Sequence, residues 1–303
     1  MRLLDYVFAA RPLLHVPLWS VYLVSLRYHL QLSGERFGLS DFRLLLAMSL
    51  IAAGAFYFNQ VHDAESDRIN AKVGFLQNDI LSERSLTRAY LIASVFAIAI
   101  GLTLSWLTVC ILMFAFVLGY LYSAPPFRLK DRPIAGLLVN AAGAGFLPSV
   151  AVMPDLTMNN IGLMGWDNPF YFAAAVGGVY LLTTVPDLAG DAATGKKTVP
   201  VLFGSKAAVG AAAVILAYSG FIALRSERHL LLVVSSLAFL MAVIAFFSSS
   251  SKIVLFAAKI PILMLTCLAG YFFPLYLVFM IALIAGTRLY YRRRFGTVYP
   301  RLA

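Results

Sequence analysis

Asn59-Gln60-Val61-His62-Asp63-Ala64-Glu65-Ser66-Asp67 follows directly on an apolar run at 44–58. Asn59, Asp63 and Asp67 recur every fourth residue, so on an α-helix they form one stripe. An apolar run that continues into such a stripe reads as a membrane helix with oxygen ligands at its end, a candidate site for a hard cation. Asn59 sits deepest, and a polar group inside a span must find a partner. Glu65 lies off the stripe and reads as solvated, and His62 reads as interfacial. Downstream, Asp187-Leu188-Ala189-Gly190-Asp191 closes a second apolar run, 170–186, again with carboxylates four residues apart. The two stretches form a weak internal repeat in which Thr183 stands where Asn59 does.

Composition sets the solvent. The 303 residues are 61% hydrophobic and 13% charged, about half the charge of an ordinary soluble domain. This is the profile of an all-α polytopic membrane protein, and residues 1–303 read as a single transmembrane domain. The N-terminal dozen residues lack the pattern of a cleaved signal peptide. Cys110 and Cys267 lie inside apolar runs and are expected to pack as small hydrophobes. The net charge of +10 sits between apolar runs and at the C-terminus. There it sets topology and meets anionic lipid headgroups, which argues against nucleic acid as a partner.

Ten runs are candidate spans: 13–32, 44–62, 87–107, 109–123, 134–153, 169–186, 205–224, 230–247, 253–270 and 271–291. The count is nine if 253–270 lies in the interface. The connections after the second, fourth and sixth runs are basic, whereas those after the third and fifth contain no Lys or Arg. By the positive-inside rule the even exits are cytoplasmic, as is the Arg292-Arg293-Arg294 cluster. The first connection, with Arg27, Arg36 and Arg43, points the other way. Asp63, Asp67, Asp187, Asp191 and the basic Arg128 and Lys130 then share one face.

Between the two acidic stretches lies Tyr122-Ser123-Ala124-Pro125-Pro126-Phe127-Arg128-Leu129-Lys130. Its double proline predicts an extended exit in which Arg128 and Lys130 point the same way. Clustered carboxylates repel unless they bind cations or protonate. Mg²⁺ bridges one or two carboxylates to substrate phosphates, and Arg and Lys neutralise a departing phosphate. Such a mouth over a lipid-filled bundle suits a diphosphate with a long apolar tail.

Asn-x-x-x-Asp-x-x-x-Asp at 59–67, Tyr-Ser-x-x-Pro-x-Arg-x-Lys at 122–130 and Asp-x-x-Gly-Asp-x-x-x-Gly-x-x-Thr at 187–198 resemble the UbiA superfamily of intramembrane prenyltransferases. The resemblance runs from Arg11-Pro12 to at least Gly204. It implies nine transmembrane helices in a ring around a central cavity. It also implies Mg²⁺-dependent transfer of a prenyl group from a prenyl diphosphate. The lipophilic or aromatic acceptor stays open among an aromatic quinone precursor, which is favoured, a chlorin or haem ring, a glycerol-phosphate lipid and a sugar phosphate. Asn59, Asp63, Asp67, Asp187 and Asp191 would hold the Mg²⁺–diphosphate. Arg128, Lys130, Lys72 and Lys197 would contact the diphosphate, and Tyr122 would stabilise the allylic cation or position the tail. The protein is expected in a bacterial or archaeal inner membrane, with the active site on the cytoplasmic side. Two features depart from the pattern: Gln60 replaces an Asp of many members, and 75–82 replaces their Arg-Pro and Pro-Ser-Gly. The competing reading is a cation- or proton-coupled transporter with the carboxylates as relay. The depth of these groups separates the two, because relay carboxylates sit mid-span.

Overall fold

The computed structural model describes residues 2–69, 74–153, 165–248 and 250–300. Among them there are helices and no strands. A short α1 (Arg2–Ala9) and a 3₁₀ turn at Pro12–His15 lead into α2 (Val16–Ser33). Then come α3 (Leu39–Ile69), α4 (Glu83–Leu102) and α5 (Trp106–Ser123). The fifth span, Pro133–Val150, is built from α6 (Pro133–Asn140), a π-helical stretch (Ala141–Phe146) and α7 (Leu147–Val150). After α8 (Asp167–Thr184) come two short helices, α9 (Leu188–Ala193) and α10 (Val199–Phe203). The chain ends in α11 (Ser205–Arg225), α12 (His229–Phe247), α13 (Ser251–Phe272) and α14 (Pro274–Phe295).

Local chemistry sets the ends. Ser82 and Ser105 cap α4 and α5 by accepting from the Ser85 and Thr108 backbone N–H groups at 3.2 and 3.1 Å. Proline occupies the first turn of α2, α6 and α14. Gly34 and Gly296 close α2 and α14 in the left-handed conformation.

Nine helices among the described residues are long and apolar enough to cross a membrane. They include α13, the run that an interfacial placement would have removed. The run at 169–186 folds as α8 but falls outside the nine. Asp167, Asn168, two tyrosines, Gly177-Gly178 and two threonines dilute its apolarity. Even so, α8 lies along α11 and against the π-helical stretch, with Tyr171, Phe172, Leu181 and Leu182 buried.

α2 lies deepest, with Val21, Tyr22, Val24 and Leu26 sealed in the core. Hydroxyls join helices where the apolar effect between them is weak. Ser25 donates to Ser149 at 3.0 Å, and Ser235 of α12 bonds the Tyr171 hydroxyl at 3.0 Å. Outward, Val95, Phe96, Phe114, Phe221, Leu263 and Ile281 are exposed, as befits surfaces facing lipid tails. Cys110 and Cys267 share that surface. They are exposed, contrary to the expectation of packing, because they fall on the outward faces of α5 and α13.

Candidate active site

α3 overshoots its apolar stretch and carries Asn59, Asp63 and Asp67 as a continuous stripe. At 1.5 Å of rise per residue, Asn59 and Asp67 are about 12 Å apart along the axis, so the stripe cannot close on one ion. It divides into two groups. Asp67 is buried and accepts from the Arg11 guanidinium at 3.0 Å. Asn59 and Asp63 face the exit of α5 and the loop after α9.

The exit of α5 corrects the extended reading. Ala124 is extended after the helix, but Arg128 then adopts a left-handed conformation (φ 39°, ψ 56°), and residues 129–131 coil into a 3₁₀ turn. Arg128 therefore pairs with Asp131 at 2.6 Å, while Lys130 turns inward. The Lys130 ammonium donates to Asn59 Oδ1 at 3.0 Å and Asp63 Oδ1 at 2.9 Å. Ser123 donates to the same Asn59 oxygen at 3.2 Å. Burial holds the Lys130 ammonium below the usual lysine range, and Asp63 offsets part of that.

Asp187 stands at the N-cap of α9, half-buried, and Asp191 lies buried one turn on. Gly195, at φ +72°, turns the chain back, a conformation that glycine adopts without penalty. Lys196 thus folds over Asp191, its N–H bonded to the Asp191 carbonyl at 2.9 Å. Its ammonium touches Asp191 Oδ1 at 3.3 Å and Asp63 Oδ1 at 3.1 Å. Oxygens that share one ammonium at those distances lie within about 6.4 Å of each other. Burial alone would lower Lys196, but Asp63 and Asp191 together raise it, so it stays cationic. Thr198 donates to Asp191 Oδ2 at 3.5 Å.

Two acidic helix ends, 128 residues apart from Asp63 to Asp191 in sequence, are thus joined by one lysine at one end of the bundle. No group of three or more His, Cys, Asp or Glu among the described residues is close enough to hold a metal by itself. Oxygen donors around a lodged cation nonetheless fit a hard ion. Mg²⁺ is typically held by one or two carboxylates, with waters and ligand phosphates completing its shell.

The UbiA prenyltransferase family model matches residues 18–252. This chain belongs to the UbiA prenyltransferase family. Its relatives include 2-acyl-4-prenylphloroglucinol 6-prenyltransferase of Humulus lupulus, 32% identical over 54% of this chain. Digeranylgeranylglyceryl phosphate synthase of Thermococcus gammatolerans is 27% identical over 56% of this chain. The matched part spans 40% and 59% of those relatives' own length. Among solved structures, the UbiA homologue of Archaeoglobus fulgidus bound to DMAPP and Mg²⁺ aligns with a TM-score of 0.66. That match is 21% identical and covers 90% of this chain and 99% of that one. A UbiA homologue of Aeropyrum pernix in its apo form aligns at 0.64, with 16% identity, 86% of this chain and 97% of that one. At these identities the likeness is one of fold.

In this UbiA-family protein the departures from the family pattern have structural employment. Gln60 turns away from the acids and donates to the Ala9 carbonyl at 2.7 Å, pinning α1. Phe75 is buried against Tyr290 and Phe295 of α14. Tyr122, half-buried at the end of α5, accepts from Asn140 at 3.2 Å. Lys197 is exposed, with its backbone N–H bonded to the Asp131 carbonyl at 2.9 Å. Lys72 lies outside the described residues. The repeat fails at Thr183, which is exposed and donates to the Tyr180 carbonyl of its own helix.

Sequence reasoning gave the diphosphate contact to Lys197 rather than to its neighbour Lys196, the residue that joins the two acidic elements, and gave Asn140 no role. It also gave Arg11 no role at the site. Gly195 before the lysine pair was the available signal for Lys196. For Arg11 it was the Arg-Pro step that opens the first span.

Proposed function

We propose that this protein transfers a prenyl group from a prenyl diphosphate to an acceptor within the membrane. The observation that carries the reading is the Asp63–Lys196–Asp191 bridge, flanked by Lys130, at the mouth of an apolar helical bundle. The site's residues suit the two ends of such a donor: buried cations for the diphosphate, lipid-like surroundings for the tail.

Asn59, Asp63 and Asp191, with Asp67 and Asp187 alongside, would hold Mg²⁺ with the diphosphate. When bound, the ion neutralises charge on the diphosphate oxygens and so favours their departure. Lys130, Lys196, Arg11 and Arg128 supply charge-assisted contacts to the remaining oxygens. The C–O electron pair leaves with the diphosphate, and the allylic carbon bonds to an acceptor carbon, which loses its proton. Burial keeps water from quenching the cation to a prenyl alcohol. An aromatic acceptor, such as a quinone precursor, is the favoured class, in keeping with the phloroglucinol prenyltransferase among the relatives. The basic loops at this end of the bundle and the Arg292-Arg293-Arg294 cluster support a cytoplasmic site in a bacterial or archaeal inner membrane.

The test is incubation of purified protein with labelled prenyl diphosphates of several lengths, an acceptor panel, and Mg²⁺ or EDTA, read by mass spectrometry. A prenylated aromatic product that disappears with EDTA is the expected result. Ion-coupled flux in liposomes with no covalent product would establish the transporter reading instead.

A further inference from the structure

The first apolar stretch able to cross a membrane runs from Leu3 to Ser33, 31 residues. As one straight helix it would measure about 46 Å, against about 30 Å of hydrocarbon. It is not straight. Arg11 adopts a left-handed conformation (φ 53°, ψ 57°) that parts α1 from the 3₁₀ turn and α2. The 18 residues of α2 span about 27 Å, close to the hydrocarbon thickness by themselves. The crossing therefore leaves α1 over.

One side of α1 is fixed to the bundle. Asp5 is buried, and Arg294 of α14 donates to its two oxygens at 3.0 and 3.1 Å. The Tyr290 hydroxyl donates to the same carboxylate, and Phe8 stacks on the Tyr290 ring at 3.9 Å. From α3, Tyr57 donates to the Tyr6 carbonyl at 2.8 Å and Gln60 to the Ala9 carbonyl at 2.7 Å. These partners set the depth of α1. Residues 57–60 are where the apolar run of α3 gives way to its polar stripe. Tyr290 and Arg294 flank the point where α14 turns basic. Two separate helices thus put α1 at the boundary of hydrocarbon and headgroups, at the site's end of the bundle.

The other side of α1 is apolar and uncovered. Leu3, Leu4 and Val7 are 79%, 52% and 49% exposed. Their spacing puts them on one helix face, turned away from the buried Asp5 and Ala9. An apolar face at that depth fits the acyl boundary of a leaflet. Arg292 and Arg293, exposed beside Arg294, suit anionic headgroups around it. We propose that Leu3, Leu4 and Val7 form a lipid-binding surface that seats α1 in the leaflet next to the site, and that this seating holds Arg11 at the site. Arg11 closes the segment and donates to Asp67 at 3.0 Å, so the position of α1 governs where that guanidinium stands. The first half stands on geometry alone. The second half rests on the prenyl-diphosphate reading above.

The test of the first half is spin-label accessibility in nanodiscs of phosphatidylcholine and phosphatidylglycerol, on the full chain carrying Cys110→Ala and Cys267→Ala. Labels go singly at Leu4→Cys and Val7→Cys, with Phe96→Cys as the lipid reference and Lys197→Cys as the aqueous one. Collision with oxygen should exceed collision with a nickel chelate at 4 and 7, as at 96, and the order should reverse at 197. A face more open to nickel would lie in water, and a face shielded from both would be covered by protein, such as a second copy of the chain. Either result overturns the proposal.

For the second half, binding of a non-hydrolysable prenyl thiodiphosphate is measured in the same nanodiscs. Leu4→Glu/Val7→Glu and Arg11→Gln should each raise its Kd about tenfold. Combined, they should cost no more than the larger single effect, since both displace one guanidinium. Leu4→Gln/Val7→Gln serves if the acids prevent folding. Wild-type affinity in either variant, or losses that multiply, would overturn the coupling and leave the prenyl-diphosphate reading standing. A wild type that does not bind the analogue would sink that reading and the coupling together, while the labels still decide the lipid surface.

Discussion

At the scale of single residues, adjacent lysines have different places. Lys196 bridges Asp63 and Asp191, whereas Lys197 is exposed. Lys196→Gln is expected to raise KM for the prenyl diphosphate about tenfold or more, because charge-assisted contacts are among the stronger hydrogen bonds. Lys197→Gln should leave it near wild type. Steady-state kinetics on both variants checks this, and equal effects would contradict the geometry. Nothing in the Lys196-Lys197 pair itself says which one turns inward. The choice is made by the left-handed turn at Gly195. The same holds for Arg128, whose left-handed backbone sends it to Asp131 and sends Lys130 to the acids. A reading of alternating residues in an extended strand has no access to such a turn.

At the scale of elements, periodicity carried the most information. The four-residue spacing of Asn59, Asp63 and Asp67 requires only that the helix continue, and α3 runs on to Ile69. The π-helical stretch was invisible because Ala-Ala-Gly-Ala-Gly-Phe is compatible with an ordinary helix. What distinguishes it is contact with α8, a property of two elements together. Gly145→Ala is expected to destabilise the fold by about 1–3 kcal/mol, since the added methyl group meets backbone that must shift. Gly143→Ala, with nothing within 4 Å of the added atom, should be tolerated. Thermal unfolding of the two variants in one detergent tests the contrast. Equal midpoints would mean that the approach of the π-helical stretch to Phe172 is looser than described.

At the scale of the whole molecule, the sequence made the membrane class and the two acidic ends legible, while their meeting was only an inference from parity. Loop charges can place Asp63 and Asp191 on one side of a bilayer, but no spacing in the chain tells that one lysine spans both. Helix arrangement decides that, and it is a long-range property. The sidedness itself is testable. With Cys110 and Cys267 replaced by alanine, a single cysteine at position 197 should react with an impermeant maleimide in inside-out vesicles and be protected in right-side-out ones. The reverse pattern would place the site on the other face. The central claim is that the two acidic helix ends serve one bound prenyl diphosphate. The most direct measurement is consumption of labelled prenyl diphosphate by purified wild type, Asp63→Ala, Asp191→Ala and the double variant. The account predicts that each single change abolishes consumption and that the double change costs nothing more. Turnover retained in either single variant would contradict it.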